Sequence, residues 1–288
     1  MARNPVHVNP SSISMEALDQ TTATQPPVMC SYLPEPLSTV AVLTLNRPEA
    51  RNALGPLEWQ LIGQHLTAIA AEERVRVLII KGVGGSFCAG GDLRSLPDQL
   101  ERPVSEFQQM LHQDMQVIRL LYELDRPVIA QIHGACTGSG LALALACDLR
   151  ICAASSSLGA PSHRVGMTGD YGLMWLLPRV VGPARASEML LLCDVLPAVR
   201  AETLGLVHRV VPDDKLSDEV QNLAAKLAAG PRLAQAMTKR GIRRALGCDL
   251  STMLEWESQA QSILSSTDDA REGVQSILDK RKPQFRGR

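Results

Sequence analysis

Residues 126–154 read RPVIAQIHGACTGSGLALALACDLRICAA. The first part, "RPVIAQIHG", has the short β-branched character of a strand. It runs into His133-Gly134-Ala135-Cys136-Thr137-Gly138-Ser139-Gly140, a loop carrying three glycines. An apolar helix "LALALACD" follows, and "LRICAA" reads as a further strand. The same order stands upstream. "VRVLIIKGVG" is a buried strand ending in glycines, followed by a second glycine-bearing loop, Phe87-Cys88-Ala89-Gly90-Gly91-Asp92-Leu93. Residues 103–124 then space Phe107, Met110, Leu111, Met115, Ile118 and Leu121 as a helix does. Repetition of strand, loop and helix predicts an α/β fold.

Working outward, "TVAVLTLNRP" alternates until Pro48 ends it, a strand. "PLEWQLIGQHLTAIAAEE" opens with Pro56 in the position that starts a helix. Residues 1–34 are polar and rich in Ser, Thr, Gln and Pro, and read as a flexible N-terminal tail. Toward the C-terminus, "SSLGAPSHRVGMTGDYG" is a long irregular connection. "LMWLLPRVVG" and "PARASEMLLLCD" are helices divided by Gly182-Pro183, and "HRVVP" is a last short strand. From 217 the pattern is helical. The chain therefore divides into a tail (1–34), an α/β core (35–216) and a helical module (217–288).

Composition narrows the function. The 288 residues carry a net charge of −1, so no overall basic field exists to hold nucleic acid or an anionic membrane. Aromatic content of 3% argues against base-stacking platforms. No apolar run reaches transmembrane length. Residues 1–30 lack the apolar core of a signal peptide, which makes the cytoplasm the expected compartment. Seven cysteines without a C-x-x-C pair read as buried free thiols, and the six scattered histidines offer no metal cluster.

Glycines let a backbone pass close to a ligand with its N–H groups turned inward. A helix N-terminus adds free N–H groups and partial positive charge. Together the two loops can hold an oxyanion such as a thioester enolate. Neither reads G-x-x-x-x-G-K-[ST] or G-x-G-x-x-G, so the nucleotide motifs are absent. Taken singly, each loop is better explained by tight strand–helix packing.

Four segments in order, "VAVLTLNRPEARNAL", "FCAGGDL", "HGACTGSGLALALACDLRI" and "EGVQSILDKRKPQF", resemble the crotonase (enoyl-CoA hydratase/isomerase) superfamily from about Val40 to Phe285. The resemblance implies a spiral of repeated ββα units with a C-terminal helical trimerisation module, and a homotrimer or a hexamer built as a dimer of trimers. It implies an acyl-CoA thioester substrate, with coenzyme A as part of the substrate rather than a separate cofactor. It places the oxyanion donors at Gly91 and Ser139, the latter usually glycine; serine serves if its φ stays negative. Coenzyme A is placed along Ala50, Arg51, Ala53 and Ala89. Arg51 reads equally as a phosphate partner or as a solvated arginine. Asp92, beside glycines, reads as a carboxylate capping loop N–H groups.

An oxyanion hole moves no proton, so an acid or base must complete the chemistry. Hydratases of the superfamily use two glutamates; the matching positions here are Ala142 and Ser162. Between Pro127 and Val180 only Asp148 and Asp170 are acidic. Asp148 reads as a strand-start or turn residue. Asp170 stands where superfamily members with one catalytic aspartate carry it; the rival reading is an N-cap of the following helix. Apolar Met167, Leu173, Met174 and Trp175 fit a desolvated pocket that raises the pKa of Asp170; ordinary helix packing is the alternative for them and the preferred reading for Trp175. Tyr171, His133 and His163 are possible additional polar groups. The expected activity is a double-bond shift by an enoyl-CoA isomerase, with Asp170 as the one acid/base that removes a proton and returns it two carbons away. Alternatives are a hydratase, a hydrolase or dehalogenase attacking through the carboxylate, and a non-catalytic acyl-CoA binder.

Overall fold

The computed structural model describes residues 25–288. The chain runs β1 (Val28–Tyr32), β2 (Val40–Leu45), α1 (Pro56–Ala71), β3 (Val77–Gly82), β4 (Ser86–Cys88), α2 (Leu96–Leu100) and α3 (Val104–Glu123). It continues through β5 (Val128–Ile132), β6 (Ala135–Thr137), α4 (Ser139–Ala146), β7 (Leu149–Ala153), β8 (Ser157–Gly159), α5 (Leu173–Val181) and α6 (Pro183–Leu192). Then come β9 (Val195–Pro197), α7 (Ala198–Thr203), β10 (Arg209–Val211) and helices α8 (Leu216–Ala228), α9 (Arg232–Ala245), α10 (Leu250–Ser265) and α11 (Asp268–Leu278).

Two sheets form. The larger has strand order β1-β2-β3-β5-β7-β10, parallel except for the β1–β2 pair, and the smaller has order β4-β6-β8-β9. Each turn of chain therefore places one strand in each sheet and then a helix: β3 and β4, β5 and β6, β7 and β8. This is the expected spiral of ββα units in an α/β fold. The short strands β4, β6 and β8 fall inside stretches whose glycines and brevity read as loop. Their pairing is long-range, Cys136 opposite Cys88 and Leu158 opposite Cys136, so local sequence does not announce it.

One core lies between the sheets and α1, α3, α4 and α5, with Trp59, Phe87, Leu121 and every residue of α4 buried. A second lies on the other face of the large sheet, where Leu216, Val220 and Ala224 of α8 cover Val40, Val42, Val77, Ile79 and Ile151. All six residues of β2 are consequently buried. The alternation seen in its sequence is not an inside–outside alternation, because α8 closes the second face.

Two boundaries move. Val28–Tyr32, read from sequence as part of the tail, pairs antiparallel with β2, Val28 opposite Leu45 and Tyr32 opposite Ala41. Backbone pairing and the burial of Val28 hold it, and no local periodicity signals this. Residues 1–24 of that tail lie outside the described residues. Helix α8, placed by sequence with the C-terminal module, packs on the core sheet. Helices α9 to α11 leave Leu250, Ile277 and Leu278 more than two-thirds exposed. Cys88, Cys136, Cys147, Cys152 and Cys193 are buried free thiols, while Cys30 and Cys248 are half-buried. Among the described residues no helix is long and apolar enough to cross a membrane.

Candidate active site

The two glycine loops meet because β4 and β6 are adjacent parallel strands. Thr137 Oγ1 donates to the Ala89 carbonyl at 2.8 Å. Gly90 takes φ +106°, and a Cβ there would sit 3.1 Å from the Thr137 carbonyl oxygen. Gly140, in the first turn of α4, is packed so closely that a Cβ would fall 2.6 Å from both Cβ and O of Cys88. Only glycine permits this approach.

The first loop is braced from its other side by residues 47–58. Leu54 N–H donates to the Gly90 carbonyl at 2.8 Å, Asp92 N–H to the Leu54 carbonyl at 3.0 Å, and Ala89 N–H to the Arg51 carbonyl at 3.0 Å. Ala50, Arg51 and Ala53 therefore run beside Ala89. Asn52, in a left-handed conformation with φ 56°, turns its amide inward instead. It accepts from Arg47 N–H and donates to the carbonyls of Val83 and Ser86.

Asp92 is structural, as its place beside glycines suggested. Arg94 grips it through its backbone N–H and guanidinium, each at 3.1 Å, and Arg47 at 2.9 Å. Hydrogen bonds from Arg94, then from Arg47, hold its carboxyl well below the usual carboxylate range. Arg47 also reaches Glu58 at 3.1 Å and the Ala53 carbonyl at 3.1 Å, tying α1 to the loop.

The N–H groups of Gly91 and Ser139 have no acceptor among the described residues. Ser139 is the first residue of α4 and keeps a negative φ, the condition for serine to stand in a glycine position; the left-handed turn is made by Gly138, φ 54°. The serine hydroxyl is buried without a partner among the described residues.

A cavity of about 770 Å³ opens here. Ala50, Arg51, Ala53, Ala89, Gly91, Ser139 and Asp170 all line it, so four separate stretches of sequence converge on one space. Ser162 also lines it, at a position that the superfamily resemblance matches to a hydratase glutamate. Ala142 is sealed inside α4 with no exposure. His133 and His163 do not line it; the His133 ring bonds the Gly84 carbonyl at 2.8 Å.

Asp170 does not cap α5. The N-cap position is Gly172, φ 78°, and no side chain bonds the helix N-terminus. The turn at Tyr171 (φ 47°) and Gly172 separates Asp170 from the helix. Its carboxyl pairs with no other side chain among the described residues, and burial pushes its pKa up. Met174 packs beside this segment, its Sδ 3.1 Å from where a Cβ on Gly169 would lie. Met167 lines the cavity, but Leu173 is buried in the core, and Met174 and Trp175 are 52% and 43% exposed. Trp175 packs edge-on against Tyr122 with Arg179 over its ring. The apolar lining also includes Leu96, Phe107 and Leu111, with Tyr171, whose ring stacks on Trp59 at 4.3 Å between centroids.

A second carboxylate was not singled out from sequence. Asp114 of α3 lines the same cavity, half-buried, with no ion pair among the described residues. Burial pushes its pKa to about 6. The signal was available: Phe107, Leu111, Asp114, Ile118 and Leu121 step by four and three along one helix face, so position 114 interrupts an apolar stripe with an acid.

The comparisons with known proteins agree with this architecture. The sequence pattern of the enoyl-CoA hydratase/isomerase family matches residues 35–288. The chain is 34% identical to crotonyl-CoA hydratase of Syntrophomonas wolfei over 247 residues, covering 85% of this chain and 94% of that protein. It is 35% identical to 1,2-epoxyphenylacetyl-CoA isomerase of Escherichia coli K12, covering 86% and 95%. The crystal structure of an enoyl-CoA hydratase from Bacillus anthracis superposes with a TM-score of 0.85 at 31% identity, covering 91% of this chain and all of that one. With its family pattern matched over most of its length and its ββα spiral shared, the chain belongs to the enoyl-CoA hydratase/isomerase family of enzymes acting on acyl-CoA thioesters.

Proposed function

We propose that the chain is an enoyl-CoA isomerase that moves a carbon–carbon double bond along an acyl-CoA. Coenzyme A lies along Ala50, Arg51, Ala53 and Ala89, and the thioester oxygen sits between the N–H groups of Gly91 and Ser139. Asp170 removes a proton beside the thioester carbonyl. The two N–H groups hold the enolate, and a proton returned two carbons away completes the shift. Nothing beyond the coenzyme A carried by the substrate is needed as cofactor.

The observation that carries this reading is the state of the carboxylates lining the cavity. Glu49 is exposed beside Arg47, and Asp92 is held by Arg47 and Arg94. Asp170 and, on α3, Asp114 are desolvated and unpaired among the described residues, and Asp170 is the one that stands where the superfamily resemblance places a single catalytic aspartate, in the cavity that also holds the Gly91 and Ser139 N–H groups. Desolvation makes a carboxylate a stronger base. One base and an oxyanion hole suffice to take a proton and return it two carbons away, whereas a hydratase must also orient water.

Hydration is the second reading, because Asp114 supplies a second carboxyl group to the cavity. A panel of acyl-CoAs incubated in D₂O and followed by mass spectrometry separates the two. Conversion of 3-enoyl-CoA to 2-enoyl-CoA, with no mass gain beyond deuterium, supports the isomerase. Fast addition of water to crotonyl-CoA, insensitive to Asp170→Asn, refutes it. Release of free coenzyme A through an acyl intermediate on Asp170, or binding without any hydrogen exchange, refutes it equally.

A further inference from the structure

The reaction proposed above has two proton transfers at carbons two positions apart, and the cavity presents two carboxyl groups, from different elements, that are unpaired among the described residues. Asp170 precedes α5. Asp114 comes from α3, the helix that also brings Phe107 and Leu111 to the apolar end of the cavity. Tyr171, its ring fixed on Trp59, lies within the influence of both: burial first, then the charges of Asp114 and Asp170, push its phenol pKa up. No lysine or arginine pairs with either carboxyl among the described residues, in contrast with Asp92.

An ionised carboxylate in such a place is unfavourable without a partner. Burial favours the protonated form of each carboxyl, so the cavity can hold a neutral acid together with an ionised base. A neutral acid beside an ionised base is the pair that a proton relocation requires.

We propose that Asp114 is a second catalytic carboxylate of this site, donating the proton that completes the double-bond shift while Asp170 keeps the one it removed. This rests on the isomerase reading of Asp170. The C2–H bond of a 3-enoyl-CoA breaks and its proton passes to the Asp170 carboxylate. The electron pair moves into the enolate held by Gly91 and Ser139. When the enolate collapses, the C2–C3 double bond forms and C4 takes the proton of the Asp114 carboxylic acid. Asp170 then holds a proton and Asp114 none, and exchange through water restores the starting state. No oxidant, reductant or further reactant enters. In support, burial pushes the Asp114 carboxyl up to about 6, closer to neutrality than an ordinary carboxyl and so better suited to donate a proton.

The test separates the two transfers in Asp114→Asn, Asp170→Asn and unaltered protein. Deuterium uptake at C2 from D₂O reports the first transfer, and 2-enoyl-CoA formation reports both. Asp114→Asn is expected to take up deuterium within about threefold of the unaltered rate and to form product at least about 100-fold more slowly. Retained uptake also shows that the variant is folded with an intact oxyanion hole. Asp170→Asn is expected to lose both. Product formation at the unaltered rate by Asp114→Asn overturns the proposal but leaves Asp170 in place. Loss of uptake together with product formation in Asp114→Asn also overturns it, assigning Asp114 to positioning or packing. If the unaltered protein takes up no deuterium, the reading of Asp170 itself fails and this proposal with it.

Discussion

Gly140 is where the account of the two loops can be broken with one methyl group. A Cβ at this position would lie 2.6 Å from Cys88 Cβ, 2.6 Å from Cys88 O and 2.7 Å from Cys88 Sγ. Carbon atoms prefer a separation of about 3.5–4.0 Å, so α4 or β4 must retreat by roughly 1 Å. Both are buried, with Cys88 and Gly140 inside the main core, and the retreat strains neighbours that are already closely packed. Overpacking of this kind costs about 1–3 kcal/mol. Chemistry suffers separately. Ser139 immediately precedes Gly140 and Gly91 lies three residues after Cys88, so the shift opens the gap between the two N–H donors. An oxyanion donor works at about 2.7–3.1 Å, and losing one costs about 10²–10³ in turnover. Urea denaturation and acyl-CoA turnover of Gly140→Ala measure the two effects. Gly91→Ala is the stability control: nothing lies within 4 Å of its would-be Cβ and its φ is not left-handed, so its folding free energy is expected within about 0.5 kcal/mol of the unaltered protein. A Gly140→Ala protein with unaltered stability and turnover would refute the reasoning that close contact between the loops sets the donor spacing.

Other outcomes follow from the same geometry. Asp114 has a raised pKa in the folded state, so the folded form binds its proton more tightly than the unfolded chain does. Its contribution is complete below about pH 4 and is lost as pH rises through about 6. Asp114→Asn is therefore expected to be more stable than the unaltered protein at pH 8, by about 1 kcal/mol after solvent screening, with the gain vanishing near pH 4; urea midpoints at the two values check it. The rate of product formation is expected to fall on the acid side as Asp170, its pKa raised by burial, becomes protonated, and Asp170→Glu is expected to move that limb where Asp170→Asn abolishes activity. Leu250, Ile277 and Leu278 on the last helices are exposed in one chain, and the trimer or hexamer implied by the superfamily resemblance would cover such residues. Light scattering at micromolar concentration is expected to give three or six chains, and a monomer would contradict it.

How much was readable in the sequence depended on whether the signal was local. The loop residues Gly91 and Ser139 and the strip Ala50, Arg51, Ala53 and Ala89 were legible because motifs with fixed spacing carry them. Helix α3 was legible from its apolar stripe, whereas Asp114 within that stripe lies far in sequence from Asp170 and joins the site only because the fold brings α3 to the same cavity. Strand β1 has no periodicity of its own and is held by pairing with β2. Strand β2 reads as amphipathic only because the sequence does not reveal that α8 covers its second face. Of the apolar residues expected around Asp170, Met167 lines the cavity and Met174 packs on Gly169, whereas Trp175, beyond the left-handed turn at Tyr171 and Gly172, packs against Tyr122.

The central claim is that Asp170 removes the proton beside the thioester while backbone N–H groups hold the enolate. Hydrogen exchange at C2 of a saturated acyl-CoA, followed by proton nuclear magnetic resonance in D₂O, isolates that step because no double bond is present to move. The account predicts exchange catalysed by the unaltered protein and a loss of about 10²–10⁴ in its rate in Asp170→Asn, at unchanged folding stability or slightly above it. Exchange at the unaltered rate in Asp170→Asn would contradict it.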